Sequence, residues 1–358
     1  FCSISSAIAN MVSARRAGKI MGVTIASFLV TAAIAAVIMY AIVRAIPLVT
    51  GQYPAETGEV GSVSAANMIV NFFTVEDFSA LWSRRAMLPL IVAAVIFGFA
   101  VQMCGEKGKP VAKLLDSLTE CIMKVVKLIT YYAPIGFFGF FAYLVADYGP
   151  QLIGDYTRTL IVYYALSFIY MFAMFPIYAR FGGGKGGAKV MFRHLFRPAV
   201  TSFGTCSSVA TIPANMEAAE DSGIPHEVAD LVLPLGATMH MDGSCFSCVL
   251  KVAFLFGVFG LPFEGAGLFA EVLAVAVFSS VAMSGIPGGG YIAEFILCSL
   301  FFPDRMAVAY PIAVTIGNLV DPPATMVNAA GDYAASFLVA RITEGSGWLE
   351  RTDGERAA

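Results

Sequence analysis

The segment LGATMHMDGSCFSCV, Leu235 to Val249, sets His240 and Asp242 two residues apart beside Gly243 and Ser244, inside an apolar run long enough to cross a membrane. An ionisable group is costly in hydrocarbon unless it faces protein or a wet cavity, so the pair marks a place of function. A second concentration lies in TIGNLVDPPATMVNAAGDYAASFLVAR, where Asp321, Thr325, Asn328 and Asp332 follow steps of 4, 3 and 4 residues. That spacing lines all of them along one helical face. Two carboxylates on an apolar face require a cationic partner: a sodium ion, the ammonium of an amino acid, or a tightly paired internal network. Pro322 and Pro323 remove backbone donors, which predicts a loosened helix whose freed carbonyls coordinate ions.

Two loops add to these residues. TSFGTCSSVATIP, Thr201 to Pro213, is rich in hydroxyls and leads into a helix. Its backbone N–H groups and helix N-terminus would favour a carboxylate; the alternative is ordinary Ser and Thr packing in a membrane helix. SGIPGGGY, within Ser279 to Gly290 and on to Tyr291, offers flexible backbone able to close over a ligand. Each loop lies between apolar arms of about 10–15 residues, too short to span alone. They read as two re-entrant hairpins whose tips meet near the midplane. GGGKGGAK, Gly182 to Lys189, lacks the GKS or GKT ending of a phosphate loop and reads as a cytoplasmic linker to the first hairpin.

The elements that position these groups are apolar helices. Of 358 residues, 58% are hydrophobic and 13% charged, against about 45–50% and about 25% in soluble domains. This composition predicts an all-α polytopic membrane protein. A net charge of −3 gives no reason to expect nucleic acid as a partner. The seven cysteines, Cys2, Cys104, Cys121, Cys206, Cys245, Cys248 and Cys298, are scattered and read mostly as small apolar residues. Clean spans are predicted at Gly22–Ile46, Met87–Met103, Ile122–Val145 and Leu160–Tyr178. From Pro198 onward the apolar segments are broken by Gly, Pro, Ser and Thr. Such broken segments are the best sequence pointer to a transporter binding site.

Basic residues give the topology. Arg15, Arg16 and Lys19 precede the first span, Lys107, Lys109 and Lys113 separate the second from the third, and Arg180 to Arg197 follow the fourth. The loops Pro47–Ser79 and Ala146–Tyr156 contain no Lys or Arg, so both termini are expected in the cytoplasm, with Arg44 as the exception to the pattern.

These motifs carry a resemblance. PLGATMHMDGS resembles the seventh-span pattern PLGATINMDGT of the glutamate transporter homologues, the dicarboxylate/amino acid:cation symporter family. TMVNAAGD is similar to the eighth-span TMVNVTGD, SGIPGGG to AGVPGAG of the second hairpin, CSSVATIP to the serine-rich first hairpin, and YYAPIGFF to the fifth-span YAPIG. The motifs follow the family order over the whole chain. The resemblance implies a fold with two re-entrant hairpins and a broken eighth span. It also implies that the chain starts at the end of span two, and that the parent is a homotrimer in a cell membrane, the prokaryotic inner membrane. It divides the chain into residues 1–16 (end of span two and a cytoplasmic loop), 17–116 (spans three and four), 117–181 (spans five and six), 182–345 (transport core) and 346–358 (cytoplasmic tail).

The resemblance also implies roles. Ser207 and Ser208 would hold a substrate α-carboxylate, Asp321 its ammonium, and Thr325 and Asn328 would contact substrate, with Met241 and Ser244 counted beside them. The backbone of Ile286 and Gly290 would close the gate. Asp332 with the backbone of Gly236 and Asn328 resembles one sodium site, the backbones of Thr238 and Ser280 a second, and Asp242 with Thr31 a third, deeper one.

Departures from the family refine this. Ala324 stands where members that take acidic substrates have an arginine, and Cys206 where some carry another. A buried carboxylate without a partner costs several kcal/mol, so a neutral amino acid is expected over glutamate or aspartate, with a dicarboxylate as the alternative. His240 replaces an asparagine, Ala32 a serine and Phe28 a tyrosine found in some members, which predicts loss of the third sodium site to a His240–Asp242 pair or a proton. Cys248 replaces the glutamate of potassium-coupled members. Lys251 and Glu294 are unexpected in their segments. They would pair with one another, or Lys251 would snorkel outward; a Lys251 facing the cation ligands would substitute for a bound ion. His240 and Lys251 are therefore candidate coupling positions. The function expected is secondary symport coupled to Na+ or H+, with no other cofactor. An uncoupled receptor or anion leak is a second class. An intramembrane enzyme is a third, without a GxSxG motif to support it.

Overall fold

The structure is a computed structural model that describes residues 1–9, 15–51, 74–75, 77–82, 87–130, 135, 138–139, 142, 146, 151–282 and 290–351. All regular elements described are helices. The chain runs through α1 (Cys2–Ala9), α2 (Arg15–Ala45), α3 (Met87–Met103), α4 (Lys109–Thr130), α5 (Gln151–Thr205), α6 (Ser208–Asp221), α7 (His226–Met239), α8 (Asp242–Val258), α9 (Ala266–Ala282), α10 (Gly290–Phe301) and α11 (Met306–Glu344). Short 3-10 turns lie at Phe78–Trp82, Gly105–Lys107 and Pro303–Arg305.

Helices α2, α5 and the pair α7–α8 contain stretches apolar and long enough to span a membrane: Lys19–Ala45, Leu152–Thr205 and His226–Val258. The outer surface is oily. Ile161, Ile169, Phe172, Ile177 and Phe196 of α5 are exposed, while His240, Asp242, Lys251, Glu294 and Asp332 are buried. A protein that shows phenylalanine outward and hides its charges is built for hydrocarbon, where apolar exposure costs nothing and charges must be answered inside. The spans expected around residues 22–46 and 160–178 coincide with α2 and the first part of α5, and α3 has the expected bounds. The expected span at 122–145 begins within α4, and the motif YYAPIGFF lies largely outside the described residues.

α11 is the central element and packs against α2, α5, α6, α7, α8 and α10. Contrary to the expected break, it runs as helix from Met306 to Glu344 through Pro311, Pro322 and Pro323. The reason is local. A proline at position 323 leaves the carbonyl of Leu319 without its helical donor, and the Tyr164 hydroxyl supplies one at 3.0 Å. The freed acceptor is satisfied by a side chain, so the helix continues. The break lies instead between α7 and α8, where His240 (φ −91°, ψ 102°) and Met241 (φ −129°, ψ 43°) leave the helical region.

The GGGKGGAK stretch, expected as a linker to the first hairpin, is helical. It continues α5 on both sides of a single kink at Gly184 (φ 70°, ψ −153°). Gly182 meets the Phe337 backbone of α11 so closely that a side chain there would collide with it. That close packing holds helix where glycine alone would not. α5 then turns at Cys206 and Ser207 into α6. The ion pair Arg197–Glu217 and the 3.6 Å contact of His194 Nδ1 with Asp221 Oδ2 join the two sides of that tip and show two antiparallel arms. The tip expected for a second hairpin, including Ile286, lies outside the described residues; the helices on either side of it, α9 and α10, pack on each other and on α8.

Candidate functional site

Residues His240 and Met241 open a gap in the middle of a span, with the C-terminus of α7 and the N-terminus of α8 facing it. Half-helix ends at such a gap present carbonyls from one side and N–H groups from the other. Asn328 of α11 closes part of it. Its Oδ1 accepts from the backbone N–H of Gly243 (2.8 Å) and of Ser244 (3.3 Å), while its Nδ2 donates to Ser244 Oγ (3.1 Å) and approaches Met241 sulfur (3.4 Å). The Asn328 amide therefore caps α8 from a neighbouring helix. Gly243 makes this fit possible, because a Cβ there would run into the carbonyl of Ala324, which is itself buried. The Tyr163 hydroxyl donates to the Gly243 carbonyl at 2.6 Å.

The imidazole of His240 lies in the gap with 1% of the residue exposed. Nδ1 is 3.0 Å from Asp332 Oδ1 and 3.2 Å from the Asn328 carbonyl; both are acceptors, so Nδ1 carries the hydrogen. Nε2 is 3.1 Å from Thr31 Oγ1 and 3.4 Å from Asp242 Oδ1. Phe28 stacks on the ring at a centroid distance of 4.6 Å. Gly331 leaves room for it, since a Cβ there would stand 2.7 Å from His240 Cε1. Asp242 Oδ2 accepts from the Tyr170 hydroxyl at 2.8 Å, and Tyr170 shares a 2.8 Å hydrogen bond with Tyr178. Asp242 Oδ1 and Asp332 Oδ2 are buried without a hydrogen-bond partner among the described residues.

The structure thus gathers the residues expected for two cation sites around one side chain. Asp332 with the Asn328 carbonyl, and Asp242 with Thr31, all converge on His240. The expected His240–Asp242 approach is present, and Asp332 is nearer still. Gly236 also belongs to this cluster, because a Cβ on it would meet Asp332 Oδ1 at 2.5 Å. Thr238 bonds the Leu235 carbonyl at 2.9 Å; Ser280 is near the end of α9, and its side chain lies outside the described residues.

Two turns before Asn328 on α11, Asp321 is exposed and accepts from Thr325 Oγ1 at 3.1 Å. The first hairpin tip reaches this end of the site through Tyr164, whose hydroxyl bonds Leu319 and whose ring meets Phe203 edge-on at 6.4 Å. At the tip Cys206 takes a positive φ of 49°, and Ser207 caps α6 by accepting from the Ala210 N–H at 3.2 Å. Ser208 begins the helix, so the first-turn N–H groups of Ser208 and Val209, unlike that of Ala210, are left without a helical partner at the tip. Asn215 of α6 ties this arm to α11 by donating to the Ala329 carbonyl at 2.7 Å.

Lys251 does not snorkel. Its Nζ is bonded to Glu294 Oε1, with 5% and 2% of the two residues exposed. Cys248, one turn earlier, sits 3.8 Å from Ser279 Oγ. The sequence reading did not single out Tyr163, Tyr164, Tyr170 and Tyr178. Aromatic residues in an apolar span carry no local mark, and only the partners reached across the fold reveal their roles.

A model of the sodium:dicarboxylate symporter family matches residues 1–342. The chain is 26% identical over 351 residues to a C4-dicarboxylate transport protein of Rhizobium leguminosarum, covering 95% of this chain and 78% of that protein. It is 24% identical over 372 residues to a C4-dicarboxylate transport protein of Brucella anthropi, covering 100% and 81%. A C4-dicarboxylate transport protein of Laribacter hongkongensis is 23% identical over 371 residues, covering 100% and 81%.

Proposed function

The chain belongs to the sodium:dicarboxylate symporter family, and from that premise we propose that it carries a small amino acid with an uncharged side chain across the cell membrane together with a cation. Asp321 is the observation that carries this reading. It presents a carboxylate to the open end of the site, engaged there by Thr325. Such a group attracts an ammonium and repels a dianion. The free N–H groups at the start of α6 suit the substrate's carboxylate, and Ser207 and Ser208 belong to that tip. Ala324, packed on Gly243, supplies no charge for a second carboxylate.

Coupling follows from the buried cluster. His240 then takes the place of the third sodium beside Asp242 and Thr31, and its Nδ1 hydrogen answers part of the charge of Asp332. Sodium is then carried at fewer places: by the carboxylate oxygens left over and by the backbone near Thr238 and Ser280. Movement of the hairpins with α7, α8 and α11 against the remaining helices would expose the site to each side in turn, in a homotrimer.

The names of the relatives favour a second reading, a C4-dicarboxylate substrate. Uptake of labelled serine, aspartate and succinate into proteoliposomes separates the two, first under a sodium gradient and then under a proton gradient alone. Sodium-driven serine uptake in excess of succinate supports the amino-acid reading; preference for succinate or aspartate overturns it. Uptake driven only by protons assigns the coupling to His240 instead of sodium.

A further inference from the structure

The ion pair Lys251–Glu294 takes no part in the cluster around His240, yet it lies beside the open end of the site. Glu294 is four residues beyond Gly290 on α10, and Gly317, which touches the pair, is four residues before Asp321 on α11. Each interval is one helical turn, about 6 Å. Gly317 lets the pair lie against the α11 backbone, because a Cβ there would collide with Glu294 Oε1 and stand 3.1 Å from Lys251 Nζ. Lys251 is the only buried lysine among the described residues. Glu294 Oε2 is buried and has no hydrogen-bond partner among the described residues, so its own charge is only half answered.

We propose that Glu294 is a specificity-determining residue: by occupying Lys251 it withholds that buried ammonium from a second carboxylate on the substrate, and so confines the site to substrates with one carboxylate. The inference rests on the reading of Asp321 as the ammonium partner. A substrate with a second carboxylate meets the charge of Asp321, while the nearby buried cation is already engaged by Glu294. Removing the charge of Glu294 alone leaves Lys251 in place and turns an excluding pair into a receiving cation.

The test measures the ratio of aspartate to serine uptake in proteoliposomes for the unsubstituted protein, Glu294→Gln, and Lys251→Met/Glu294→Gln. Glu294→Gln is expected to raise the ratio roughly tenfold or more, and the double substitution to return it to the starting value. No rise in the folded single variant, or a rise that persists without the lysine, overturns the proposal. If Glu294→Gln is not recovered folded, Glu294→Asp decides: the shorter carboxylate draws back from Lys251, so the ratio must rise, and an unchanged or lower ratio overturns the idea. Failure of the amino-acid reading is visible separately, as preference for succinate or aspartate before any substitution is made.

Discussion

A carboxylate sealed from water needs a donor or a cation at its oxygens, and at Asp242 and Asp332 the side chains supply only part of that need. Tyr170 serves one oxygen of Asp242 and His240 one oxygen of Asp332; the others have no hydrogen-bond partner among the described residues. The arrangement joins a fixed imidazole to sites where a cation can still be drawn in. Replacing His240 by asparagine should enlarge the second demand. His240→Asn is expected to unfold at lower temperature than the unsubstituted protein in sodium-free buffer. It should then regain about 2–3 kcal/mol when sodium reaches roughly a hundred times its dissociation constant. Thermal unfolding in detergent with sodium or choline checks this. A sodium response no larger than that of the unsubstituted protein would show that the imidazole does not stand in a cation's place.

At the level of elements, the site depends on a helix interrupted at His240 and repaired by its neighbour. Ending α7 and restarting α8 leaves carbonyls and N–H groups without helical partners. Asn328 satisfies two of the N–H groups from α11, so the break and the unbroken helix beside it form one unit. Their contact at Gly243 and Ala324 has no space for a methyl group. Gly243→Ala should therefore cost about 1–3 kcal/mol by overpacking. Gly22 of α2 has nothing within 4 Å of a built Cβ, so Gly22→Ala should be neutral or stabilise by up to about 1 kcal/mol through helix propensity. Measuring both midpoints side by side separates tight packing from a general intolerance of change, and a harmless Gly243→Ala would contradict the contact.

For the whole molecule, the decisive property is where charge lies relative to the oily surface. Most of the charged groups that matter are buried near the centre, and Asp321 is the carboxylate left accessible at the site. An accessible anion sets the sign of what enters. Asp321→Asn is expected to weaken serine uptake about 10–100-fold in KM, as loss of a hydrogen bond to a charged group of roughly 1.5–3 kcal/mol implies. The same change should leave succinate uptake equal or improved. Uptake kinetics of the two substrates check this, and equal loss for both would remove the ammonium role of Asp321.

The sequence by itself determined the class of molecule and its chemistry-bearing segments. Apolar composition, the hydroxyl-rich tip and the 4-3-4 spacing of Asp321, Thr325, Asn328 and Asp332 follow from local pattern, because helix period and hydrocarbon burial act on neighbouring residues. The tertiary structure decided what those residues meet. Prolines at 322 and 323 predicted a broken α11, but Tyr164 from α5 answers the freed Leu319 carbonyl and the helix holds. The sequence leaves three readings of Lys251 open (pairing with Glu294, snorkelling, or facing the cation ligands), and the fold bonds it to Glu294 on a separate helix. His240 was expected beside Asp242 alone, and the fold sets it between Asp242 and Asp332, 92 positions away in the chain. Partners so far apart in sequence leave no periodicity to read, so only packing of the helices chooses among the acceptors available to one buried imidazole.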